Sequence, residues 1–206
     1  MIGIVDYGVG NLHNLERGVR AAGCDAVFVD EPQALLGCDA LLLPGVGAFG
    51  ESMRRLRAAH LDHALQRYAA SGRPLLGICL GMQLLLSRSQ ELGTHEGLGL
   101  IPGDVVAMVP SEGLAVPHVG WGPLIAARPW RRTLLDGVTE RQEFYFTHSF
   151  VCRPIDERAV LARASYGSRQ FTAVLANTNV MGCQFHPEMS AEAGIHMLGT
   201  FLTGCR

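Results

Sequence analysis

The sequence lacks the features of membrane, secreted and nucleic-acid-binding proteins. In its 206 residues no apolar run approaches the roughly 20 residues that a transmembrane helix needs, and the N-terminus has no basic segment like that of a signal peptide. The net charge is only −2, from 17 cationic and 19 acidic side chains, so no excess of one sign indicates a nucleic acid or an acidic membrane as a partner. We therefore expect a cytoplasmic protein that binds neither.

Paired cysteines are also missing. None of the six cysteines stands in a C-x-x-C pair, and their wide spacing fits reduced thiols better than disulfides or a zinc site. His60 and His63 stand three residues apart beside Asp62, which would allow a metal pair, but without a third ligand nearby a solvated helix face is favoured. The sequence predicts neither a metal nor an organic cofactor.

Apolar residues, by contrast, are abundant. They make up 48% of the chain and charged residues only 17%, which indicates a sheet that is buried on both faces. Short apolar strands alternate with helices in the first half, and strands follow one another in the second. We predict an α/β fold with a flavodoxin-like, doubly wound sheet, parallel in its first half and extended by antiparallel β-strands, in one domain over residues 1–206.

Some of the predicted element boundaries bear on function. Hydrophobic periodicity and the positions of glycines indicate these boundaries. We expect one helix over 51–70, a helix from Cys79 to about Ser87, a loop over 88–103, one strand over 145–151 and a final helix over 191–203.

Residues 74–86, PLLGICLGMQLLL, are the most informative stretch. A buried strand is predicted to lead into a helix here, and between them Gly77-x-Cys79-x-Gly81 is the thiol form of the sharp turn on which hydrolases carry their nucleophile. Larger side chains in place of the two glycines would collide, and the start of the helix favours a thiolate. We predict that Cys79 is a nucleophile; the alternative is a small apolar core residue.

A second glycine-rich stretch, PGVGAFG at 44–50, follows a predicted apolar strand. Three glycines in seven residues let backbone N–H groups turn toward a bound group, as an oxyanion hole requires. A phosphate-binding loop is the rival interpretation, but the Lys-Ser/Thr pair of a Walker motif is absent. A plain connecting loop also remains open.

The third stretch, FHPE at 185–188, ends the last predicted strand, where the active-site groups of open α/β sheets gather. A nucleophilic cysteine needs a base and then an acid, and one imidazole that is oriented by a carboxylate can serve as both. His186 and Glu188, separated by a rigid proline, can point the same way. Alone, His-Pro-Glu is more often a surface turn; with Cys79 and the glycine-rich loop it predicts a catalytic pair.

Together, residues 44–47 (PGVG), 77–83 (GICLGMQ) and 184–188 (QFHPE) closely resemble the signatures of class I, triad-type glutamine amidotransferases. Within that class the chain is similar to the glutaminase subunits of imidazole glycerol phosphate synthases. The stretches typical of those subunits are DYGVGN at 6–11, PGVGAF at 44–49, GLGLIPG at 97–103, PHVGW at 117–121 and YFTHS at 145–149. The resemblance covers essentially the whole chain.

The resemblance implies a reaction and its site residues. Cys79 would attack the side-chain amide of L-glutamine, His186 would protonate the departing ammonia and then activate water, and Glu188 would orient His186. Such subunits are usually nearly silent until a loaded synthase partner binds, and turning of the 46–47 peptide is expected to switch them. The implied oxyanion donors are Val46, Gly47 and Leu80, and the implied substrate contacts are Gln83, Ser149 and Phe150.

The resemblance further implies a heterodimer with a (β/α)8-barrel cyclase. That subunit would use the ammonia to make imidazole glycerol phosphate and aminoimidazole carboxamide ribotide in histidine biosynthesis. His118, Trp121 and Tyr145 resemble interface positions, with ordinary strand packing as the alternative. Gly122 and Met189 stand near the partner interface, where these subunits usually carry Asn and Lys. A paralogue that supplies ammonia to another synthase therefore remains an alternative. One example is a synthase that aminates a surface-polysaccharide sugar.

Two functions of other classes are alternatives. A cysteine peptidase or related hydrolase on a flavodoxin-like fold would act without a partner, but Gln83 and the PGVG loop disfavour it. A non-catalytic regulatory paralogue would only bind the synthase. The intact Cys79, His186 and Glu188 disfavour that interpretation.

Overall fold

The fully apolar segment 41–43 is completely buried within an eight-stranded sheet, as expected for a strand that is covered on both faces. The computed structural model describes residues 1–109 and 113–204. Its strands are β1 Ile2–Val5, β2 Ala26–Val29, β3 Ala40–Gly45, β4 Leu75–Cys79, β5 Leu86–Ser89, β6 His95–Glu96, β7 Ile101–Ala107, β8 His118–Pro123, β9 Ile125–Ala126, β10 Glu143–His148, β11 Phe150–Pro154, β12 Val160–Tyr166, β13 Arg169–Asn177 and β14 Val180–Cys183. Its α-helices are α1 Leu12–Ala21, α2 Pro32–Leu36, α3 Phe49–Ala58, α4 Leu61–Ala70, α5 Leu80–Leu84 and α6 Ala191–Thr203.

The large sheet has the strand order β2-β1-β3-β4-β14-β13-β12-β9. From β2 to β14 the pairs are parallel, and from β14 to β9 they are antiparallel. Helices α1 and α6 contribute to the core on one face, and α2, α3 and α4 to the core on the other. The predicted doubly wound α/β sheet with an antiparallel extension is therefore confirmed.

Two smaller sheets lie beside the large one, which the sequence did not predict. One pairs β10 with β8, and the other has the order β11-β7-β5-β6. The strand expected over 145–151 is in fact two strands that break at Ser149, because β10 pairs with β8 while β11 pairs with β7. This break brings Ser149 and Phe150 to the candidate site described below.

Two helix predictions were wrong in length. The helix expected over 51–70 is interrupted at His60, whose φ of 56° is left-handed, and α4 then begins with a fully buried Leu61. The helix after Cys79 ends at Leu84, not near Ser87, because the buried run 84–86 has no amphipathic period and its backbone instead accepts hydrogen bonds from the segment 98–101. The loop expected over 88–103 accordingly contains β6 and the start of β7.

Several absences hold only for the residues that the structure describes. The five cysteines in these residues form no disulfide, and Cys205 lies outside them. No cluster of three potential metal ligands occurs within 1–109 and 113–204. In the same part of the chain, no helix has the length and hydrophobicity needed to cross a bilayer.

The three informative segments meet at one edge of the large sheet. β4 pairs in parallel with both β3 and β14, with Gly45 opposite Cys79 and Cys183 opposite Ile78. The carboxyl ends of parallel strands lie at the same edge, so the glycine-rich loop, the cysteine turn and the His-Pro-Glu turn all leave the sheet together.

Candidate active site

Cys79 occupies a strained turn between β4 and α5. Its φ of 55° is uncommon for a residue with a side chain. A Cβ on Gly81 would lie 1.8 Å from the Leu43 carbonyl oxygen, and one on Gly77 would lie 2.6 Å from the Gly81 carbonyl oxygen. The predicted need for both glycines is confirmed, since neither backbone contact leaves room for a methyl group.

His186 and Glu188 form a buried pair. The Nδ1 atom of His186 lies 2.9 Å from Glu188 Oε1, and the two side chains are only 7% and 4% exposed. Because Nδ1 is engaged by the carboxylate, Nε2 is the nitrogen available to Cys79. Burial by itself would lower the pKa of His186, but side-chain hydrogen bonds to Cys79 and Glu188 outweigh it and raise that pKa well above its ordinary value.

Ser190, which the sequence analysis missed, holds the backbone of this turn. Its hydroxyl donates to the His186 carbonyl oxygen at 2.6 Å and accepts from the Tyr145 N–H at 2.9 Å. The His186 N–H in turn donates to the Tyr145 carbonyl oxygen at 2.9 Å. A serine directly before a helix is a familiar N-cap signal, but here its oxygen bonds across to β10.

The sulfur of Cys79 lies in a network of amide groups. Gln184 Nε2 lies 3.9 Å from it, and the thiol faces the Thr147 carbonyl oxygen at 3.8 Å. The Gln83 amide nitrogen donates to Gln184 Oε1 at 3.1 Å and to the Phe150 carbonyl oxygen at 3.2 Å. Gln83 is thus buried near Cys79, where it connects α5 to the segment that follows β10.

These side chains surround a cavity of about 400 Å³, which is within the range of small-molecule sites. Apart from Glu188, which lies behind His186, the structure brings together every predicted catalytic, oxyanion and substrate residue at this cavity. Those lining it are Val46, Gly47, Cys79, Leu80, Gln83, Ser149, Phe150 and His186.

Glu91 also lines the cavity and was not predicted. It follows β5, within the segment that was expected to be a loop, and its Oε2 accepts a 2.6 Å hydrogen bond from the Phe49 N–H. An acidic residue in a charged, glycine-rich segment carries no periodic or motif signal. Only the path of the chain brings it to the site.

His148, which lines the same cavity, pairs with the buried His118. His118 Nδ1 lies 3.3 Å from His148 Nε2, and His148 Nδ1 lies 3.0 Å from the Phe150 carbonyl oxygen. Burial is the main reason that the pKa of His148 is lowered to about 4. A neutral His148 that donates from Nδ1 therefore supports the backbone at Phe150.

The three predicted interface residues differ in exposure. Trp121 is half exposed and its ring makes an edge contact with that of Tyr145, with centroids 5.8 Å apart. His118, however, is buried and its ring stacks on Phe146 and Tyr166. His118 thus packs against aromatic neighbours within the subunit, and its place at the partner interface stays a prediction.

Comparisons with known proteins identify the family of the chain. The family description "Glutamine amidotransferase class-I" matches residues 3–205. The imidazole glycerol phosphate synthase subunit HisH 1 of Legionella pneumophila (strain Lens) is 41% identical over 209 residues, covering 98% of each chain. The subunit HisH of Sulfurimonas denitrificans is 43% identical over 204 residues, covering 98% of this chain and 97% of its own.

Solved structures show the same fold at lower identity. A crystal structure of a glutamine amidotransferase has a TM-score of 0.76 at 21% identity and covers 99% of this chain and 98% of its own. The structure of PurLQS from Thermotoga maritima has a TM-score of 0.73 at 22% identity, covering 98% of this chain and 97% of that one. The chain belongs to the class I glutamine amidotransferase family, and the relatives described above at 41–43% identity are named HisH subunits of imidazole glycerol phosphate synthase.

Proposed function

We propose that this chain is the glutaminase subunit of an imidazole glycerol phosphate synthase and hydrolyses L-glutamine to glutamate and ammonia. The observation that carries the proposal is the cavity in which Cys79 faces the buried His186–Glu188 pair. The names of relatives at about 40% identity over nearly the whole chain support the synthase. We treat residues 1–206 as one glutaminase domain.

In the proposed reaction Cys79 Sγ attacks the side-chain carbonyl carbon of glutamine. His186 then gives its proton to the departing nitrogen, so ammonia leaves and a glutamyl thioester remains. In the second half His186 takes a proton from water, the hydroxide displaces Cys79, and glutamate is released. Glu188 keeps the imidazole oriented and stabilises its charged form.

The oxyanion formed in each half needs backbone donors. The N–H groups of Leu80 and of the Val46–Gly47 segment are the proposed donors, since Leu80 follows the nucleophile and Gly45 lies opposite it in the sheet. Loss of one such donor typically raises the barrier by about 3–4 kcal/mol. Gly47 has a φ of 86° and no atom within 4 Å of a hypothetical Cβ, so its peptide has room to turn.

Other residues that line the cavity are proposed to recognise the amino-acid end of glutamine. Glu91 offers a carboxylate for the α-ammonium group, and the Ser149–Phe150 backbone and Gln83 remain the proposed contacts for the rest. Gln83 would act while its amide also holds Phe150 and Gln184.

The printed names of the relatives describe one subunit of a synthase, which supports an assembly with a second subunit. We propose a heterodimer with a cytoplasmic (β/α)8-barrel cyclase that receives the ammonia. Trp121 and Tyr145 would contribute to the contact surface, together with the exposed Met189. Because Met189 and Gly122 replace the usual Lys and Asn, a glutaminase serving another synthase is the second candidate.

Glutamate release from glutamine tests the proposal. The wild type, Cys79→Ala and the control Cys38→Ala would be assayed alone and with the cyclase and its nucleotide ligand. Cys38 is a buried thiol at the opposite edge of the sheet, near the N-terminal ends of the strands, so its loss should leave turnover unchanged. Stimulation by the cyclase that disappears only in Cys79→Ala is expected. Activity that the cyclase cannot raise would indicate another synthase, and no activity in any combination would refute catalysis.

A further inference from the structure

The oxyanion loop, residues 44–49, is held at both ends by side chains from distant parts of the chain. We infer that Tyr7 and Glu91 are positioning residues that fix the two ends of this loop and thereby confine any turning to the Val46–Gly47 peptide. The inference rests on the proposed glutaminase function and adds two residues to its machinery.

Tyr7 holds the first end. It follows β1, is 6% exposed, and its phenol donates a 2.9 Å hydrogen bond to the Pro44 carbonyl oxygen. The phenol oxygen also lies 2.7 Å from the position that a Cβ of Gly45 would take, so it packs directly against the loop backbone. Burial, more than any other factor, raises the pKa of Tyr7, which therefore remains a donor at physiological pH.

Glu91 holds the second end. Phe49 is the first residue of α3, where backbone N–H groups lack partners within the helix. Ala48 at the N-cap makes no side-chain capping bond, and Glu91 Oε2 accepts from the Phe49 N–H at 2.6 Å instead. A carboxylate at a helix N-terminus is favourable, so this contact secures the point at which the loop becomes helix.

Between these two anchors, residues 46–47 are exposed at the surface. The Val46 side chain is 42% exposed, and the space beside Gly47 is open. Rotation about the bonds on either side of the 46–47 peptide can therefore turn its N–H without moving Pro44 or Phe49. Because Gly45 lies opposite Cys79, the first anchor sets the distance of that N–H from the nucleophile.

The two anchors differ in their relation to substrate. Tyr7 does not line the cavity, whereas Glu91 does and is also the proposed acceptor for the glutamine ammonium. Loss of the Tyr7 hydroxyl should therefore lower kcat and leave KM nearly unchanged. Removal of the Glu91 charge should raise KM for glutamine. Removal of its acceptor oxygens should also lower kcat.

Tyr7→Phe tests the first anchor in the complex with the cyclase and its ligand. We expect kcat for glutamine hydrolysis to fall about tenfold or more, but less than the 10²–10³-fold caused by deleting an oxyanion donor, with KM within threefold. The matched control is Tyr68→Phe, which removes another buried phenol that faces a proline carbonyl, that of Pro74 at 3.4 Å, at the far end of β4. It should leave kcat unchanged.

Alkylation of Cys79 by iodoacetamide separates loop positioning from loss of thiol reactivity. In this reaction the thiolate sulfur displaces iodide and no oxyanion forms. We expect the alkylation rate of Tyr7→Phe to stay within twofold of the wild type. A rate that falls in parallel with kcat would overturn the inference, as would a kcat equal to that of Tyr68→Phe.

Two substitutions test the second anchor. Glu91→Gln retains an oxygen that can accept from Phe49, so it should raise KM for glutamine and leave kcat within threefold. Glu91→Leu should raise KM and also lower kcat about tenfold. Equal kcat values in the two variants would overturn the anchoring role of Glu91. A wild type that does not hydrolyse glutamine at all would refute the proposed function itself, whereas an active wild type with unaffected variants would refute only this inference.

Discussion

Glu188→Gln is the sharpest test of the proposed mechanism, because it changes one buried contact and almost no volume. The carboxylate is 2.9 Å from His186 Nδ1 and is nearly inaccessible to water. The amide of glutamine has the same shape but no charge. Its NH₂ group can also face Nδ1, which would place the imidazole proton on Nε2, on the side of Cys79.

The size of the effect follows from that contact. A hydrogen bond to a charged group is worth about 1.5–3 kcal/mol, and a barrier higher by that amount lowers the rate roughly 10- to 150-fold. An imidazole in the wrong tautomer can lose about 10⁴-fold, as in serine proteases. We therefore expect kcat of Glu188→Gln to fall between about 10- and 10⁴-fold.

The pH dependence gives a second measurement. Glu188 is one of two groups that raise the pKa of His186 against the effect of burial, so its neutralisation should lower that pKa. The alkaline limb of the kcat profile, where His186 loses its proton, should then move to lower pH.

The assay is glutamate release in the complex between pH 6 and pH 10, with Glu51→Gln as a control, since Glu51 forms only exposed ion pairs with Arg54 and Arg55. A Glu188→Gln enzyme that keeps more than a third of wild-type kcat, with an unmoved alkaline limb, would refute the assigned role.

Three further predictions concern stability and docking. Gly81→Ala should abolish folding or lower the free energy of unfolding in urea by more than about 3 kcal/mol, because its methyl group would lie 1.8 Å from the Leu43 carbonyl oxygen. The control Gly199→Ala, in the middle of α6, should leave the free energy of unfolding unchanged or raise it. Comparable stability of the two variants would contradict this. His148 has a pKa lowered from 6.5 to about 4, so the unfolded chain takes up its proton first as the pH falls, and stability is lost on acidification. Between pH 7 and pH 5 this group should lower the free energy of unfolding of the wild type by about 2 kcal/mol. The free energy of unfolding of His148→Gln should fall by about 2 kcal/mol less over the same interval. Parallel stability curves for the two proteins would contradict the prediction. Trp121→Ala should change the free energy of unfolding by less than about 1 kcal/mol, because Trp121 is half exposed. It should weaken cyclase binding about tenfold or more in a calorimetric titration. Unchanged affinity would show that Trp121 is not part of the interface.

Patterns within short segments predicted much of the fold. The last helix was expected over 191–203, where the structure has it, because apolar residues at helical spacing face the core. The cysteine turn was predicted because its two glycines reflect backbone contacts within a few residues and with the adjacent strand. These features depend on local conformation and burial, which leave a signal in the order of the residues.

Other elements left no such signal. The break between α3 and α4 occurs without glycine or proline, and α5 ends inside a uniformly apolar run that could equally have continued as a helix. In both places the period of the sequence is compatible with two structures, and packing against other elements decides between them.

The sequence by itself predicted the fold class, which the structure confirms. It also predicted the proposed nucleophile, base and carboxylate, because these residues lie in motifs whose residue types suit a strained turn or a short polar pair. Only the tertiary structure decided which residues support them. Tyr7, Glu91, His148 and Ser190 act on partners two to 45 positions away, through contacts that exist only after the strands have paired. Such contacts depend on the order of the strands and on the path of the loops, which local residue patterns do not predict.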